Sequence, residues 1–325
     1  MKCTNKLYLC ILLSFILLIS GCSTNKLGLP YTVDSKISSF EVEQTDSDSI
    51  LADAFASALC VSDSDISNSL IEGISDSVAA GLFDIDNCET LYSKNVHETV
   101  YPASLTKIMT AIVAIKNSSM EQILTASQNV KMSDPSAQVI GLKAGDQMTM
   151  EQALNILLIY SANDVAIMIA ENVAGSVEDF VVLMNDEAQR LGATHTHFTN
   201  PHGLSDENHY TSLYDLYLIT NEAIKFDTFN NIIHTAEYTT SIFDAAGNSK
   251  EISIQNTNQY LNGATVTPSG ITIIGGKTGT TNAAGHCLIL VSKNQNGNKY
   301  ISIIMKSASR DEMYTFTNSL LDAIS

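Results

Sequence analysis

The order of its sequence patterns predicts an α+β fold: an antiparallel sheet flanked by helices, plus a mostly helical lobe. Strand-like runs occur near both ends of the patterned region, and helical patterns lie between them. Ala246-Gly247-Asn248 and Asn296-Gly297 each separate two strand-like runs, as hairpin turns do, so neighbouring strands should pair antiparallel. About 250 residues carry these patterns, which is enough for one domain with a substantial core.

The first 21 residues have the form of a secretory signal peptide. Lys2 and Lys6 precede an apolar run over residues 7–19 that is too short to span a bilayer. The run leads into Ile-Ser-Gly-Cys, ending at Cys22, which resembles the lipobox of bacterial lipoproteins, where the cysteine is acylated and becomes the N-terminus. An uncleaved anchor helix is the alternative. Both place the rest of the chain outside the cytoplasm, attached to the bacterial cell membrane.

Residues 22–76 are rich in Ser, Thr and Asp and are expected to form a flexible acidic tether. Residues 49–59 are the exception, because their composition would allow a short helix. The formal charge of the 325-residue chain is −18, and loss of the two signal-peptide lysines takes it to −20. Such an acidic chain is a poor partner for nucleic acid, and its membrane attachment should depend on lipid rather than on a basic patch.

The folded domain is expected over residues 77–325. It opens with apolar runs at 78–85 and 90–92, which suggest a hairpin. A buried helix should follow Pro102, because the positions after it leave almost no polar face. Residues 120–149 are mostly loop with short elements.

Helix boundaries are marked by capping residues further along the domain. Thr149 and Gln152 make a capping box for a helix that ends just before Ser161. Ser176 would cap the next helix, and Gly192 would end it.

The end of the domain combines an edge strand with a final helix. The apolar run 271–274 leads directly into Lys277, so this lysine should lie on an edge strand that faces a cleft. Residues 311–324 have the pattern of a helix.

Ser104 and Lys107 are the first candidate catalytic residues. They are three residues apart at a helix start and would share one helix face. A hydroxyl needs a neighbouring base before it can act as a nucleophile, and an amine can be that base only if burial or another cation lowers its pKa. Backbone N–H groups at the helix start could stabilise an oxyanion. The pattern Ser-x-x-Lys alone also occurs by chance in many chains.

Two further motifs indicate that Ser104 and Lys107 form a functional pair. Ser161-Ala162-Asn163 and Lys277-Thr278-Gly279 follow in the chain, and this ordered set is typical of penicillin-binding proteins and the related β-lactamases.

Longer motifs narrow the resemblance. Residues 77–325 resemble the catalytic domain of the D-alanyl-D-alanine carboxypeptidases, the low-molecular-weight penicillin-binding proteins of serine peptidase family S11. The resemblance is carried by the sequences at residues 102–107, 161–164, 197–204, 276–281 and 284–285. It implies a fold like that of penicillin-binding proteins and β-lactamases.

The resemblance also implies a role for each matched residue. Ser104 would be the acylated nucleophile and Lys107 its general base, while Ser161 would relay protons and Asn163 would hold Lys107 and substrate. Lys277 would lower the pKa of Lys107 and attract a substrate carboxylate. The implied substrate-binding residues are Thr278, Gly279 and Thr280, and the N–H groups of Ser104 and Thr280 would form an oxyanion hole.

The implied partners are peptidoglycan stem peptides, with β-lactam antibiotics as covalent inhibitors and no cofactor or metal. The implied reaction removes the terminal D-alanine of a stem pentapeptide. Two alternatives stay open: a peptidoglycan DD-endopeptidase, and a non-catalytic cell-wall-binding lipoprotein.

Other candidate residues have simpler interpretations. Glu151 begins a Glu-x-x-Leu-Asn pattern that supplies the deacylating base in class A β-lactamases, but here it precedes Ser161, so an ordinary helix is expected. His195, His197 and His202 could suggest a metal site, but they belong to the run that matches an S11 structural loop.

The positions of the cysteines and of Arg310 add little to the prediction of function. Cys287 lies in an apolar run and should be a buried strand thiol, whereas Cys60 and Cys88 could form a disulfide. Arg310 is placed where a basic residue could help to hold a carboxylate.

Overall fold

The computed structural model describes residues 56–325. Within this range, the strands are β1 (Ala79–Asp84), β2 (Glu89–Lys94), β3 (Ile123–Thr125), β4 (Gln147–Thr149), β5 (Glu237–Phe243), β6 (Ser249–Gln255), β7 (Thr272–Thr281), β8 (Gly285–Lys293) and β9 (Lys299–Ser307). The α-helices are α1 (Thr106–Asn117), α2 (Met150–Asn155), α3 (Asn163–Ala174), α4 (Val177–Arg190), α5 (Leu213–Ala223), α6 (Asp227–Ile233) and α7 (Arg310–Asp322).

The main sheet has five antiparallel strands in the order β2-β1-β9-β8-β7. The predicted β1–β2 hairpin, the turn at Asn296-Gly297 and the edge position of the strand that carries Lys277 are all confirmed. A second, four-stranded sheet has the order β3-β4-β5-β6, and the turn at residues 246–248 joins its last two strands. The predicted α+β class is therefore correct, but two antiparallel sheets replace the single one expected.

Helices cover both faces of the main sheet. Alternate residues of its strands point to opposite sides, so the two faces belong to two separate apolar clusters. Leu288 and Leu290 of β8 pack in one apolar cluster with Leu320 of α7. Ile289 and Val291 belong to the other cluster, which continues into the helical lobe formed by α1 to α6. The helical lobe therefore rests directly on the sheet, and the boundary between them can hold a cleft.

Helix α1 lies at the centre of the helical lobe, as its almost wholly apolar sequence predicts. All its residues from Thr106 to Ala114 are buried. The capping box of Thr149 and Gln152 at the start of α2 is present, and Ser176 caps α4 by accepting a hydrogen bond from the Asp179 N–H. Among residues 56–325, no helix is both long and apolar enough to cross a bilayer.

The boundary of the folded domain needs correction, because it begins before residue 77. Cys60 is fully buried and its N–H donates to the Tyr217 hydroxyl oxygen at 2.8 Å. Ile71 and Ile74 are buried in the cluster beneath α7. The polar composition of residues 60–76 hid this packing, since only a few apolar side chains anchor the segment. The proposed signal peptide, Cys22 and most of the short helix suggested at 49–59 lie outside the described residues.

The suggested disulfide is absent, since Cys60 and Cys88 are both free thiols. Cys60 Sγ donates instead to the Asp84 carbonyl oxygen at 3.2 Å. Cys287 is buried in β8, as predicted.

Candidate active site

Ser104 lies in a tight turn at the start of α1. A single 3₁₀ turn over Ala103–Leu105 leads into the helix, and Pro102 occupies the capping position, where its fixed φ fits. Ala103 has a φ of +47°, in the left-handed region that side chains other than glycine rarely adopt. This turn places Ser104 on the wall of a cleft of about 760 Å³ between the helical lobe and β7.

Lys107 is held beside Ser104 by contacts on three sides. Its Nζ lies 3.0 Å from Ser104 Oγ and donates to Asn163 Oδ1 and to the His202 carbonyl oxygen, each at 2.7 Å. The side chain has no exposed surface. Burial is the main reason that the pKa of Lys107 lies well below its ordinary value, and the nearby Lys277 lowers this pKa further, while Asp164 acts in the opposite direction.

Ser161 and Lys277 form a second polar pair in the cleft. Lys277 Nζ donates to Ser161 Oγ and to the Thr278 carbonyl oxygen, both at 2.9 Å. Lys277 is buried as completely as Lys107, and this burial lowers its pKa to about 7. Ser161 follows a π-helical turn over Ile156–Tyr160 and has a φ of +73°, so the backbone turns sharply here before α3 begins.

Strand β7 forms the opposite wall of the cleft. Thr278 Oγ1 donates to Thr257 Oγ1 at 2.6 Å, and Thr280 Oγ1 lies 3.3 Å from His286 Nδ1. Gly279 contributes through its lack of a side chain, because a Cβ there would lie 3.1 Å from the Ser104 nitrogen. The strand therefore passes directly against the nucleophile turn.

The structure brings all eight of the sequence-predicted cleft residues together. Seven of them line the cleft or contact one another across it through the hydrogen bonds given above, and Gly279 packs against the turn of Ser104. The set is Ser104, Lys107, Ser161, Asn163, Lys277, Thr278, Gly279 and Thr280. Arg310 is exposed and belongs to the lining of the cleft.

Sequence reasoning missed the loop that supports the Ser161 turn. The Gln138 side chain donates to the Tyr160 carbonyl oxygen, and the main-chain carbonyl oxygen of Gln138 accepts the Asn163 N–H at 2.8 Å. Asp164 fixes this loop, because its carboxylate accepts three backbone N–H groups from residues 140–142 at 2.9 to 3.3 Å. No sequence pattern marks Gln138, because it supports the Ser161 turn with only two hydrogen bonds, one from its side-chain amide and one to its main-chain carbonyl.

The side chains of the remaining sequence candidates make contacts other than those among the eight cleft residues. Glu151 is exposed in the first turn of α2. The three histidines of the loop make separate contacts: the His195 N–H donates to Asp215, His197 Nδ1 bonds the Asn208 carbonyl, and His202 Nδ1 accepts from the Leu204 N–H. Across residues 56–325, no group of three or more His, Cys, Asp or Glu side chains is arranged to hold a metal ion.

The fold and this site together have the architecture of the active-site serine penicillin-binding proteins. The crystal structure of the Streptomyces K15 DD-transpeptidase superposes with a TM-score of 0.70 and 27% identity over 77% of this chain and 97% of that one. The family model for D-alanyl-D-alanine carboxypeptidase, peptidase S11, matches residues 72–309, and the chain belongs to this family.

Named relatives agree with this assignment. The D-alanyl-D-alanine carboxypeptidase DacF of Bacillus subtilis is 32% identical over 248 residues, which cover 75% of this chain and 61% of DacF. DacC of Escherichia coli is 30% identical over 233 residues, which cover 69% of this chain and 55% of DacC. The chain thus spans little more than half the length of these relatives.

Proposed function

We propose that this protein is a serine-type D-Ala-D-Ala carboxypeptidase, which removes the terminal D-alanine of peptidoglycan stem pentapeptides through an acyl-enzyme on Ser104. One observation carries the proposal: a fully buried Lys107 Nζ lies 3.0 Å from Ser104 Oγ, and a second buried lysine, Lys277, donates to Ser161 in the wall of the same cleft. The names of the relatives supply the substrate class.

Lys107 acts as the general base in this proposal. A neutral amine has two N–H groups and one lone pair, and the carbonyl oxygens of Asn163 and His202 accept the two N–H groups. The lone pair is then left for the proton of Ser104. Burial supports this protonation state, because it disfavours the ammonium form.

Attack of Ser104 Oγ on the peptide carbonyl forms a C–O bond and a tetrahedral oxyanion. The N–H groups of Ser104 and Thr280 stabilise this oxyanion. The proton taken by Lys107 passes through the hydroxyl of Ser161 to the leaving amine of D-alanine, and the C–N bond breaks. Water then cleaves the ester and restores Ser104.

The β7 wall of the cleft binds the substrate carboxylate. Lys277 supplies positive potential, and Thr278 and Thr280 offer hydroxyl groups along β7. Arg310 adds a second cation at the cleft rim. A β-lactam carries both a strained amide and a carboxylate, so it would acylate the same serine as a covalent inhibitor.

Attachment to the membrane through a lipid on Cys22 completes the proposal. Its support is the signal-like sequence of residues 1–21 and the lipobox resemblance. Replacement of Cys22 by Ser in the full chain should move the protein from the membrane fraction to the soluble fraction. An unchanged membrane fraction would instead favour the uncleaved anchor.

The decisive experiment compares purified wild type with Ser104→Ala. Wild type should release free D-alanine from a stem pentapeptide and should be labelled by fluorescent penicillin, whereas Ser104→Ala should do neither. Cleavage of cross-linked dimers without release of D-alanine would establish the endopeptidase alternative. A wild type that shows neither cleavage nor labelling would leave the non-catalytic wall-binding protein.

A further inference from the structure

The peptide group between Ala103 and Ser104 has an unusual support. Ala103 is held at a φ of +47°, a strained conformation that persists only where the surroundings enforce it. Its carbonyl oxygen accepts two hydrogen bonds from Thr106, one from the backbone N–H and one from Oγ1 at 2.8 Å. The backbone of Gly203 covers the same oxygen, since a Cβ on this glycine would lie 1.9 Å from it.

The hydroxyl of Thr106 is oriented in turn by a buried histidine. His209 Nε2 lies 2.8 Å from Thr106 Oγ1, and His209 Nδ1 accepts the backbone N–H of Thr199 at 3.0 Å. His209 is 1% exposed, and it is 103 residues from Thr106 in the chain. Neither the Ser-x-x-Lys motif nor the other two motifs include it.

The hydrogen bonds that connect Thr199, His209, Thr106 and the Ala103 carbonyl form a relay. The direction of each bond in this relay is fixed. The Thr199 N–H can only donate, so His209 Nδ1 must be the unprotonated nitrogen and the ring proton must be on Nε2. Nε2 therefore donates to Thr106 Oγ1, and the single hydroxyl proton of Thr106 goes to the Ala103 carbonyl oxygen. Burial lowers the pKa of His209 to about 4, which keeps the ring neutral near pH 7.

The relay ends at the oxyanion hole of the proposed reaction. The peptide group is planar and trans, so its Ser104 N–H points away from the Ala103 carbonyl oxygen, and Gly279 of β7 lies on the Ser104 nitrogen side. We propose that His209, acting through Thr106, is a positioning residue that orients and polarises the Ser104 N–H of the oxyanion hole. This inference rests on the proposed function for the role of that N–H group.

The polarity of the relay gives it a function beyond packing. Hydrogen bonds donated to a peptide carbonyl make the N–H of the same peptide a better donor, since bonds in a chain polarise one another. An oxyanion-hole donor is effective because it is oriented before the reaction starts. His209 and Thr106 fix the orientation of the strained peptide without contacting substrate.

The test compares Thr106→Val with Thr106→Ser. Valine keeps the shape of threonine but lacks the hydroxyl, whereas serine keeps the hydroxyl. Acylation by penicillin should fall about tenfold or more in Thr106→Val, in line with a weakened oxyanion-hole donor, and should stay within about threefold of wild type in Thr106→Ser. The matched control is Thr220→Val, which removes an equally buried threonine hydroxyl that bonds the Leu216 carbonyl in α5.

Infrared spectroscopy of the acyl-enzyme separates positioning from stability. The ester carbonyl stretch should move to higher frequency in Thr106→Val, because weaker hydrogen bonds in the oxyanion hole leave the carbonyl less polarised. Thr220→Val should leave the stretch unchanged. Equal acylation rates and equal stretches in wild type and Thr106→Val would overturn the proposal.

His209 itself provides a second readout that needs no acylation. Nitrogen NMR of the wild-type ring should show an unprotonated Nδ1 and a protonated Nε2, and a proton on Nδ1 would contradict the relay whatever the protein hydrolyses. His209→Gln can still place an N–H donor near Thr106, whereas His209→Asn cannot reach it. Acylation should therefore fall less in the Gln variant. If wild type were labelled by penicillin but did not release D-alanine, the proposed function would fail while the relay was still tested.

Discussion

Lys107 and Lys277 place two basic side chains in the same buried region of a strongly acidic protein. Each is fully desolvated, and desolvation favours the neutral form of both. Burial lowers the pKa of Lys277 to about 7, and the charge of Lys277 adds to the burial that lowers the pKa of Lys107. Burial and the neighbouring lysine therefore both favour a neutral Lys107.

Replacement of Lys107 by Met tests the base directly. Because no other amine lies within hydrogen-bond distance of Ser104 Oγ among the described residues, acylation by penicillin should fall by about 10²–10⁴-fold. Stopped-flow fluorescence measures the rate, and circular dichroism reports whether the fold is kept. Lys116→Met is the matched control, since it removes a partly exposed lysine from the same helix and should change the rate less than twofold.

The pH dependence of acylation tests the second lysine. Acylation needs a neutral Lys107, so the rate should fall as pH drops through the pKa of Lys107; it also gains from a protonated Lys277, so it should fall again above about pH 7. An arginine stays charged over the whole range. Lys277→Arg should therefore lose the alkaline decline, even if its maximum rate is lower. The same decline in this variant would assign it to another group.

The sequence could predict the site residues whose side-chain chemistry defines a motif, but not those that act through the main chain. Ser104, Lys107 and Lys277 stand in short ordered patterns. The carbonyl oxygen of His202, which accepts from Lys107, comes from a loop 95 residues further along the chain, and any residue type could supply it. Thr257 likewise meets Thr278 only through the tertiary fold.

At the scale of elements, glycines set how closely the loops and strands approach the nucleophile turn. Gly203 has a φ of +88°, and its backbone lies against the Ala103 carbonyl. Gly276 of β7 is similarly tight, because a Cβ there would lie 2.2 Å from the Ile289 carbonyl oxygen of β8. The cleft therefore depends on backbone contacts that no side chain could replace.

Gly203→Ala should disrupt both stability and acylation. The substitution combines a left-handed φ with a 1.9 Å clash against a main-chain oxygen, so the turn that carries Ser104 must shift. Gly192→Ala is the matched control, because Gly192 has a φ of +80° with no atom within 4 Å of its Cβ position. The control should lose about 1 kcal/mol of unfolding free energy in urea titrations, the cost of a left-handed φ for alanine, and should acylate normally. Equal losses in the two variants would show that the clash is relieved elsewhere.

Helices and strands with clear capping residues or turns could be predicted from the sequence. Other elements could not, because their apolar residues do not follow the periodicity of an amphipathic helix or a half-buried strand. Helix α5 is buried at eight of its eleven positions, so its sequence shows no polar face. Strands β5 and β6 are rich in Ser, Thr and charged residues and are largely exposed, so they lack the apolar run of a core strand. The pairing of β5 with β4 follows from tertiary contacts.

At the scale of the whole molecule, buried neutral bases couple folding to pH. Burial lowers the pKa of His202 to about 3 and that of His209 to about 4, and nearby charges add smaller effects. Both rings are neutral in the folded protein near pH 6, whereas in the unfolded chain they titrate near 6.5. The unfolded state therefore binds more protons in mildly acidic solution.

This difference predicts a steep loss of stability on acidification. The two neutral rings make their full contribution to the free energy of unfolding above about pH 6.5. That contribution is lost as the pH falls towards about 4 for His209 and about 3 for His202. Each histidine should contribute roughly 1.4 kcal/mol per pH unit to the slope of unfolding free energy below pH 6.

Urea titrations of His209→Gln test this prediction in the range from about pH 5 to about pH 6. The slope of unfolding free energy against pH should be smaller than that of wild type by roughly 1.4 kcal/mol per pH unit. Lys107 adds to the slope in wild type and variant alike, so it cancels in the comparison. A wild-type slope retained in His209→Gln would mean that this ring is already protonated in the folded protein, or solvated, which would also contradict the direction of its hydrogen bond to Thr106.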